Sequence, residues 1–417
     1  MNHIYSQVID YCFIKTIDII IKNGAKVDKN SFISRLSRVK TIMSSINEKT
    51  IEEIMDLICY EYYLQIDEMI NRQKLAPGFS GSIFLDNGLG ITTYSGKTNT
   101  HSNAPEIDGI TYFDIASITK FLTSSFIFDQ HQNDKINIYQ RIEEINADYP
   151  ISKRLIDLLR FNYDIKTDSR IDKTDENGNF VCDKAAAIEL LKNAKIVDEC
   201  FTYSDIPYMI AGMIIPNFEN EIMKYFKKIG MNNTLFNPLN VKTTGGQIGQ
   251  QNIVHDPKAR VMEGISGHAG IFSTSADLTK LLNVLLNTNH KLIWEMIRIR
   301  DNKNKYSRNN RMGAVYRKHP LGLNESEVPH EAAYRSLATA GFTGGWALYD
   351  LGNKYTTNFL SNPLSNETGT KDQNFTRLTN PLKEEMVYTA FMLRIASNIL
   401  SQYYSKEQIN NVFTKKL

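Results

Sequence analysis

Neither sign of charge dominates this 417-residue sequence: 48 Lys and Arg stand against 46 Asp and Glu, a formal net charge of +2. With no global field to draw the chain to nucleic acid or to an anionic membrane, neither is expected as a partner. Cysteine is scarce, with four residues at 12, 59, 182 and 200. They lack the close pairing of a zinc site and the density of a disulfide framework, so ordinary reduced thiols are expected. Long apolar runs are missing as well. The stretch from Met1 to Gly24 has no basic head, unbroken hydrophobic segment or small-residue cleavage site. No membrane segment is therefore expected, and a cytoplasmic location follows if Met1 is the native start. Internal repeats and low-complexity tracts are also absent. What the sequence does have is 42% hydrophobic residues, enough at this length for a large core or two adjoining ones.

Ile4, Val8, Tyr11, Cys12 and Ile19 fall on one face at helical spacing, as do Ile51, Ile54, Met55, Ile58, Tyr62 and Ile66. This predicts a helical N-terminal extension over residues 1–74, which could pack on the rest of the chain or serve as a dimerising arm. Pro77 and Gly78 break the pattern. Ser82 to Asp86 and Gly90 to Ser95 then read as a β-hairpin turning at Asn87-Gly88. From about 117 to 235 the signals are mainly helical, interrupted at 164–179 by a polar stretch expected to be an exposed loop. Strand-like runs return at Phe342 to Tyr349 and Tyr355 to Leu360, followed by a long amphipathic helix from about Lys383 to Tyr404. Strands at both ends enclosing helices in the middle predict one sheet built from distant segments with a helical subdomain inserted.

Ser117-Ile-Thr-Lys120 places a hydroxyl and an amine on one helical face, where Lys can accept or relay the Ser proton. The spacing alone is a weak signal, since Ser37-Arg-Val-Lys40 has it too and lies in the polar extension. Apolar residues surround the second pair in Tyr112-Phe-Asp-Ile-Ala-Ser-Ile-Thr-Lys-Phe-Leu-Thr, and a helix starts near the Ser. Helix-start amides can hold an oxyanion, and partial burial is expected to lower the Lys pKa and supply a neutral base. The same residues also fit a helix cap followed by a surface lysine. Tyr203 reads equally as a core tyrosine, and His268, between Gly267 and Gly270, as a turn residue or a reacting base. Zinc at His255 and His268 fails for want of helical spacing and a third ligand, so no metal is expected.

Ser117-Ile-Thr-Lys120 resembles the Ser-x-x-Lys element of penicillin-binding-protein-like serine hydrolases, the group of class C β-lactamases, D-Ala-D-Ala carboxypeptidases and related esterases. Three further segments follow in the group's order. Tyr203-Ser-Asp205 resembles its Tyr-x-Asn or Tyr-Ser-Asp element. Val254-His-Asp-Pro-Lys-Ala-Arg with Gly264-Ile-Ser-Gly-His268-Ala-Gly is similar to the long signature before the final strands. Ala338-Thr-Ala-Gly-Phe-Thr-Gly resembles the His-Thr-Gly or Lys-Thr-Gly element that lines the pocket. The matches span about residues 75–400.

The resemblance implies an α+β, β-lactamase/transpeptidase-like domain over 75–417: an antiparallel sheet flanked by helices, from about 75–125 and 240–417, with an all-helical subdomain at about 126–239. It implies Ser117 as nucleophile, with Lys120 and Tyr203 sharing base and acid duty through an acyl-enzyme. The oxyanion would be held by the amides of Ser117 and Phe342, with Gly341 allowing close approach and no cofactor required. Asp205, Thr339, Gly341, Phe342 and His268 are the candidate substrate-binding residues, and the partner is a small molecule or short peptide.

Two departures bear on the substrate. Thr339 stands where the group usually has a cation or imidazole, and Asp205 adds a negative charge where many members have Asn. Both disfavour a free substrate carboxylate and favour an ester, an amide or a cationic group. They also motivate an alternative, a penicillin-binding or sensor-type protein that captures a ligand without turnover. A shifted reading of the third element, Phe342-Thr-Gly344, would move the pocket residue from Thr339 to Phe342.

Overall fold

The computed structural model describes residues 59–60, 62–176, 180–200, 202–244, 252–287, 312–317, 328–329, 332–333, 336–365, 373–401 and 405. Most of the helical extension expected over 1–74 lies outside the described residues, together with Ser37, Lys40 and the dimerising role raised for it. Residues 62–72 are helical, and their last turn, Glu68–Arg72, is wound wide as a π turn. Tyr62, Ile66, Met69 and Ile70 are buried in the same core as the first strand.

The chain then runs through β1 (Gly78–Leu85), β2 (Gly90–Gly96) and β3 (Tyr112–Asp114) into the long α1 (Ile118–Gln132). A mainly helical stretch follows: α2 (Ile142–Ile145), α3 (Leu155–Leu159), β4 (Asp164–Lys166), α4 (Lys184–Lys192), β5 (Lys195–Asp198), α5 (Ile206–Met213) and α6 (Phe218–Lys228). Next come β6 (Leu235–Phe236), β7 (Thr243–Thr244), α7 (Pro257–Val261), β8 (Ile271–Ser273) and α8 (Ser275–Asn287). The chain closes with β9 (Val315–Arg317), β10 (Leu337–Ala340), β11 (Trp346–Asp350), β12 (Tyr355–Ser361) and α9 (Gln373–Leu400).

Six strands form one antiparallel sheet in the order β2-β1-β12-β11-β10-β9. Its two halves come from opposite ends of the chain and join at β1 and β12, where Phe79 faces Ser361 and Leu85 faces Tyr355. Side-chain alternation sorts the two faces of β1. Phe79, Ile83 and Leu85 share a core with Trp346, Phe359 and the α9 residues Leu378, Leu382 and Met386. Ser80 and Ser82 point the other way and hydrogen-bond Ser275 at the start of α8, at 2.7 and 3.2 Å. Because helices cover both faces, β11 and β12 are buried throughout rather than alternating. The larger core gathers α1, α3, α5 and α6 and takes in Leu337 and Ala347 from the sheet.

A smaller sheet, β6-β8-β3-β7, aims the chain at Ser117. β3 is one of its two inner strands, parallel to β7 and antiparallel to β8.

Three expectations are corrected. The inserted part is not all helical: β4 and β5 pair within it, around the buried Ile165, and β4 lies inside the stretch read as a loop. A strand with one buried residue and polar neighbours shows no run of alternation to read. The strand expected from Phe342 begins only at Trp346, because Gly344 (φ 109°) turns the chain and its N–H closes on the Gly341 carbonyl at 3.1 Å. α9 starts at Gln373 rather than near Lys383, running through Pro381, which reads in sequence as a helix boundary.

Candidate active site

β3 delivers the chain to Ala116, whose φ of 44° puts a residue with a Cβ in the left-handed region. The Ala116 amide donates to the Asp114 carboxylate at 2.8 Å, which holds that turn. Ser117 follows at the N-cap of α1, and its side chain makes no capping bond. Its Oγ receives hydrogen bonds from Lys120 Nζ at 2.9 Å and Tyr203 Oη at 3.0 Å. Lys120 Nζ also donates to Tyr203 Oη at 3.1 Å, closing a triangle of three side chains. Tyr203 precedes α5 and rests on the Phe161 ring, centroids 5.1 Å apart. Tyr203 is 40% exposed and Lys120 0%, so the triangle has one wet edge and one dry one.

Lys120 is held as an ammonium. Burial acts to lower its pKa, but the Tyr203 oxygen and the Asp205 carboxylate, 3.0 Å from Nζ, outweigh burial and raise it. This corrects the expectation that burial would supply a neutral amine: a buried cation beside a carboxylate keeps its proton.

Asp205 is corrected too. Its charge does not stand open to the substrate, because Lys120 takes one oxygen and Lys258 the other, also at 3.0 Å. Burial would raise its pKa, yet Lys120, His268 and Lys258 hold it well below the usual carboxylate range. His268, expected among the substrate-binding residues, is fully buried. Its ring nitrogens are taken by Ser266 Oγ and Asp256 Oδ1, both at 2.8 Å, so it reaches neither Ser117 nor a substrate. Asp205, Asp256 and His268 bring ligand-capable atoms within 4.8 Å of one another. With two ammonium groups already on Asp205, they form an ion-pair network behind Lys120 rather than a cradle for a cation.

The opposite wall is the end of β10. Gly341 packs so close to the Ser117 turn that a Cβ there would lie 2.4 Å from the Ile115 carbonyl oxygen. Only glycine lets the strand approach the Ser117 turn this closely. Phe342, 48% exposed, sits in the next turn with its ring stacked on His255, centroids 5.5 Å apart and 14° between planes. Thr339 lies on the strand itself, two residues before Gly341 and on the same face, with Oγ1 buried and unpartnered among the described residues. The shifted element falls in the turn, where Thr343 donates to the Asp114 carbonyl at 2.5 Å.

Sequence reasoning passed over Asp114, Asp256, Lys258 and Ser266. Asp256 had a usable local signal, since Asp-Pro opens a helix and its side chain caps the Ala259 amide at 2.9 Å. Lys258 gave none, because its partner Asp205 is distant in sequence, and Ser266 gave none, because its bond to His268 two residues on depends on which way the buried ring turns.

A sequence profile described as Beta-lactamase matches residues 51–380. The chain is 26% identical over 279 residues to an N-acetylmuramyl-L-alanine amidase of Bacillus subtilis (strain 168), covering 54% of this chain and 62% of that protein. The match therefore spans less than two thirds of that relative. In structure the chain is similar to a D-amino acid amidase from Ochrobactrum anthropi SV3, with TM-score 0.57 and 16% identity over 81% of this chain and 98% of that one. It is also similar to a D-alanine carboxypeptidase from Burkholderia cenocepacia, with TM-score 0.54 and 14% identity over 84% of this chain and 99% of that one. At these identities the likeness shows a shared α+β fold. No described helix is long and apolar enough to cross a membrane.

Proposed function

The chain belongs to the beta-lactamase family, and on that premise we propose that it is a serine hydrolase cleaving an amide or ester through an acyl-enzyme on Ser117. The observation that carries this reading is the triangle of Ser117 Oγ, Lys120 Nζ and Tyr203 Oη, with sides of 2.9, 3.0 and 3.1 Å. A nucleophile in direct reach of two proton-handling groups is what acyl transfer requires.

In the reactive state the Lys120–Tyr203 pair has given up one proton. Ser117 Oγ attacks the carbonyl carbon and its proton passes to Tyr203. The tetrahedral oxyanion lies between the amides of Ser117 and Phe342, then collapses and expels an amine or alcohol that takes the proton back from Tyr203. Water attacks the ester by the same route, and Ser117 is restored.

The substrate is a small molecule or short peptide whose group near Thr339 is neutral. Thr339 is buried, its Oγ1 included, and it brings no cation that would favour a carboxylate there. Two similar proteins are named as amidases, which supports an amide over an ester.

The test is intact-mass labelling of wild-type and Ser117→Ala protein with a fluorophosphonate and, separately, a penicillin. The reading expects fluorophosphonate labelling that vanishes in the variant, and an amide-derived adduct that clears with time. Undiminished labelling of the variant would overturn it, while a penicillin adduct that never clears would point instead to ligand capture.

A further inference from the structure

Asp114 is a buried carboxylate to which the acyl-transfer steps give no part. Three segments converge on it at the end of β3. Oδ1 accepts the Ala116 amide at 2.8 Å, Oδ2 accepts the His255 amide at 2.7 Å, and its main-chain carbonyl accepts the Thr343 hydroxyl at 2.5 Å. The first bond fixes the left-handed turn just before Ser117. The third fixes the turn that carries Phe342. The second holds the backbone of His255, whose ring lies on the Phe342 ring. From behind, one residue is tied to both walls of the gap between the Ser117 and Phe342 amides.

We propose that Asp114 is the positioning residue of the oxyanion site, setting the spacing of the Ser117 and Phe342 amides through these three hydrogen bonds. The inference rests on the proposed role of those two amides. A carboxylate suits the place because two N–H donors arrive at two different oxygens, and the ionised group accepts both. A protonated acid or a carboxamide offers one full acceptor and turns a donor toward the other N–H.

The same geometry makes the site sensitive to pH. Burial pushes Asp114 up to about 6, with Asp256 adding to the rise, while the His255 and Ala116 amides and Arg260 oppose it. The titratable and charged groups that face it are His255 and Asp256 on the segment before α7 and Arg260 on α7. β8 pairs Phe272 with it, and the turn after Gly341 contributes Thr343, neither of which titrates. Acidification through that range protonates Asp114 and releases one of the two amides.

The experiment follows the rate of fluorophosphonate labelling at Ser117, and kcat and KM for a chromogenic ester, on the full chain from about pH 4 to pH 9. Wild-type protein is expected to lose labelling rate and kcat below about pH 6 with KM nearly flat. Asp114→Asn should slow labelling about 10²-fold at alkaline pH, the size of losing one oxyanion donor, and remove the step in the acid limb near pH 6, leaving the fall set by the Lys120–Tyr203 proton. Thr343→Val should slow labelling about tenfold and keep the limb, because the carboxylate remains. Asp114→Asn labelling at the wild-type rate with the step near pH 6 in place would overturn the proposal, as would a wild-type protein that labels at Ser117 with no such step. Should Asp114→Asn fail to fold, the wild-type limb and its survival in Thr343→Val still decide. Wild-type protein that takes no label at Ser117 overturns the nucleophile assignment itself, a separate failure.

Discussion

The two sides of Ser117 are built from different materials. On one side lie polar side chains: Asp205 held between Lys120 and Lys258 at 3.0 Å each, with Asp256 and the His268 ring paired at 2.8 Å behind them. On the other side lie backbone groups, brought close by a glycine and braced by the single carboxylate of Asp114. Proton transfer needs groups that change charge, and a network of fixed opposite charges sets which of them does so. Oxyanion binding needs donors that do not change, and the main chain supplies these when it is held rigid. The pair of walls shows one division of labour, with electrostatics on one side and geometry on the other.

Substitutions can separate the two. Lys120→Met removes the central charge of the first wall and leaves Asp205 with only Lys258, so kcat/KM for an ester should fall about 10³-fold, within the range for lost acid–base catalysis. Gly341→Ala adds a Cβ 2.4 Å from the Ile115 carbonyl oxygen. The strand must then retreat, and kcat should fall about 10²-fold while Lys120 and Tyr203 stay in place. If this variant instead also loses proton transfer, seen as a changed solvent isotope effect on the labelling rate, the two walls are not independent. Lys258→Met, one step removed from the reacting atoms, should cost about tenfold in kcat with little change in KM.

The smallest effect is on stability. Asp256 is held down to about 2, where burial alone would raise it, because His268 faces it. A carboxylate with a lowered folded-state pKa contributes stability above its unfolded value of about 3.9, and that contribution is lost as pH falls toward 2. Melting temperature should therefore decline as pH drops below about 4, and Asp256→Asn should flatten the decline. Asp114 works in the opposite sense: with its folded pKa raised to about 6, it binds its proton more tightly when folded and costs stability as pH rises from about 4 to 6.

The same contrast explains what could be read from the sequence. The charged wall was largely legible because Ser117 and Lys120 are one helical turn apart, and Tyr203 and Asp205 sit in one short motif. What misled was environment: the Lys120 charge and the screening of Asp205 depend on Lys258 and on burial, which no local pattern reveals. Resemblance placed His268 near the site, but only packing shows its ring turned inward onto Ser266 and Asp256. The backbone wall was legible only through resemblance, since an amide carries no residue signature and its position depends on how β10 meets the Ser117 turn. In the fold, the hairpin of β1 and β2 was readable from its Asn-Gly turn, whereas β4 and β5 were too short and polar to register. The start of α9 was hidden by Pro381, which the helix carries on its exposed side.

The pairing of β1 with β12 has a consequence for how the molecule comes into being. A ribosome delivers β1, Ser117 and Lys120 early, but β1 cannot complete its hydrogen bonding on that side until Tyr355 to Ser361 have emerged. Gly341 and Phe342 also arrive late. Contacts between such distant segments form slowly and late in folding, because the intervening chain must first be closed into a loop. During synthesis Ser117 is therefore made long before the segment that forms its opposite wall, and a chain cut short before β10 carries Ser117 without that wall.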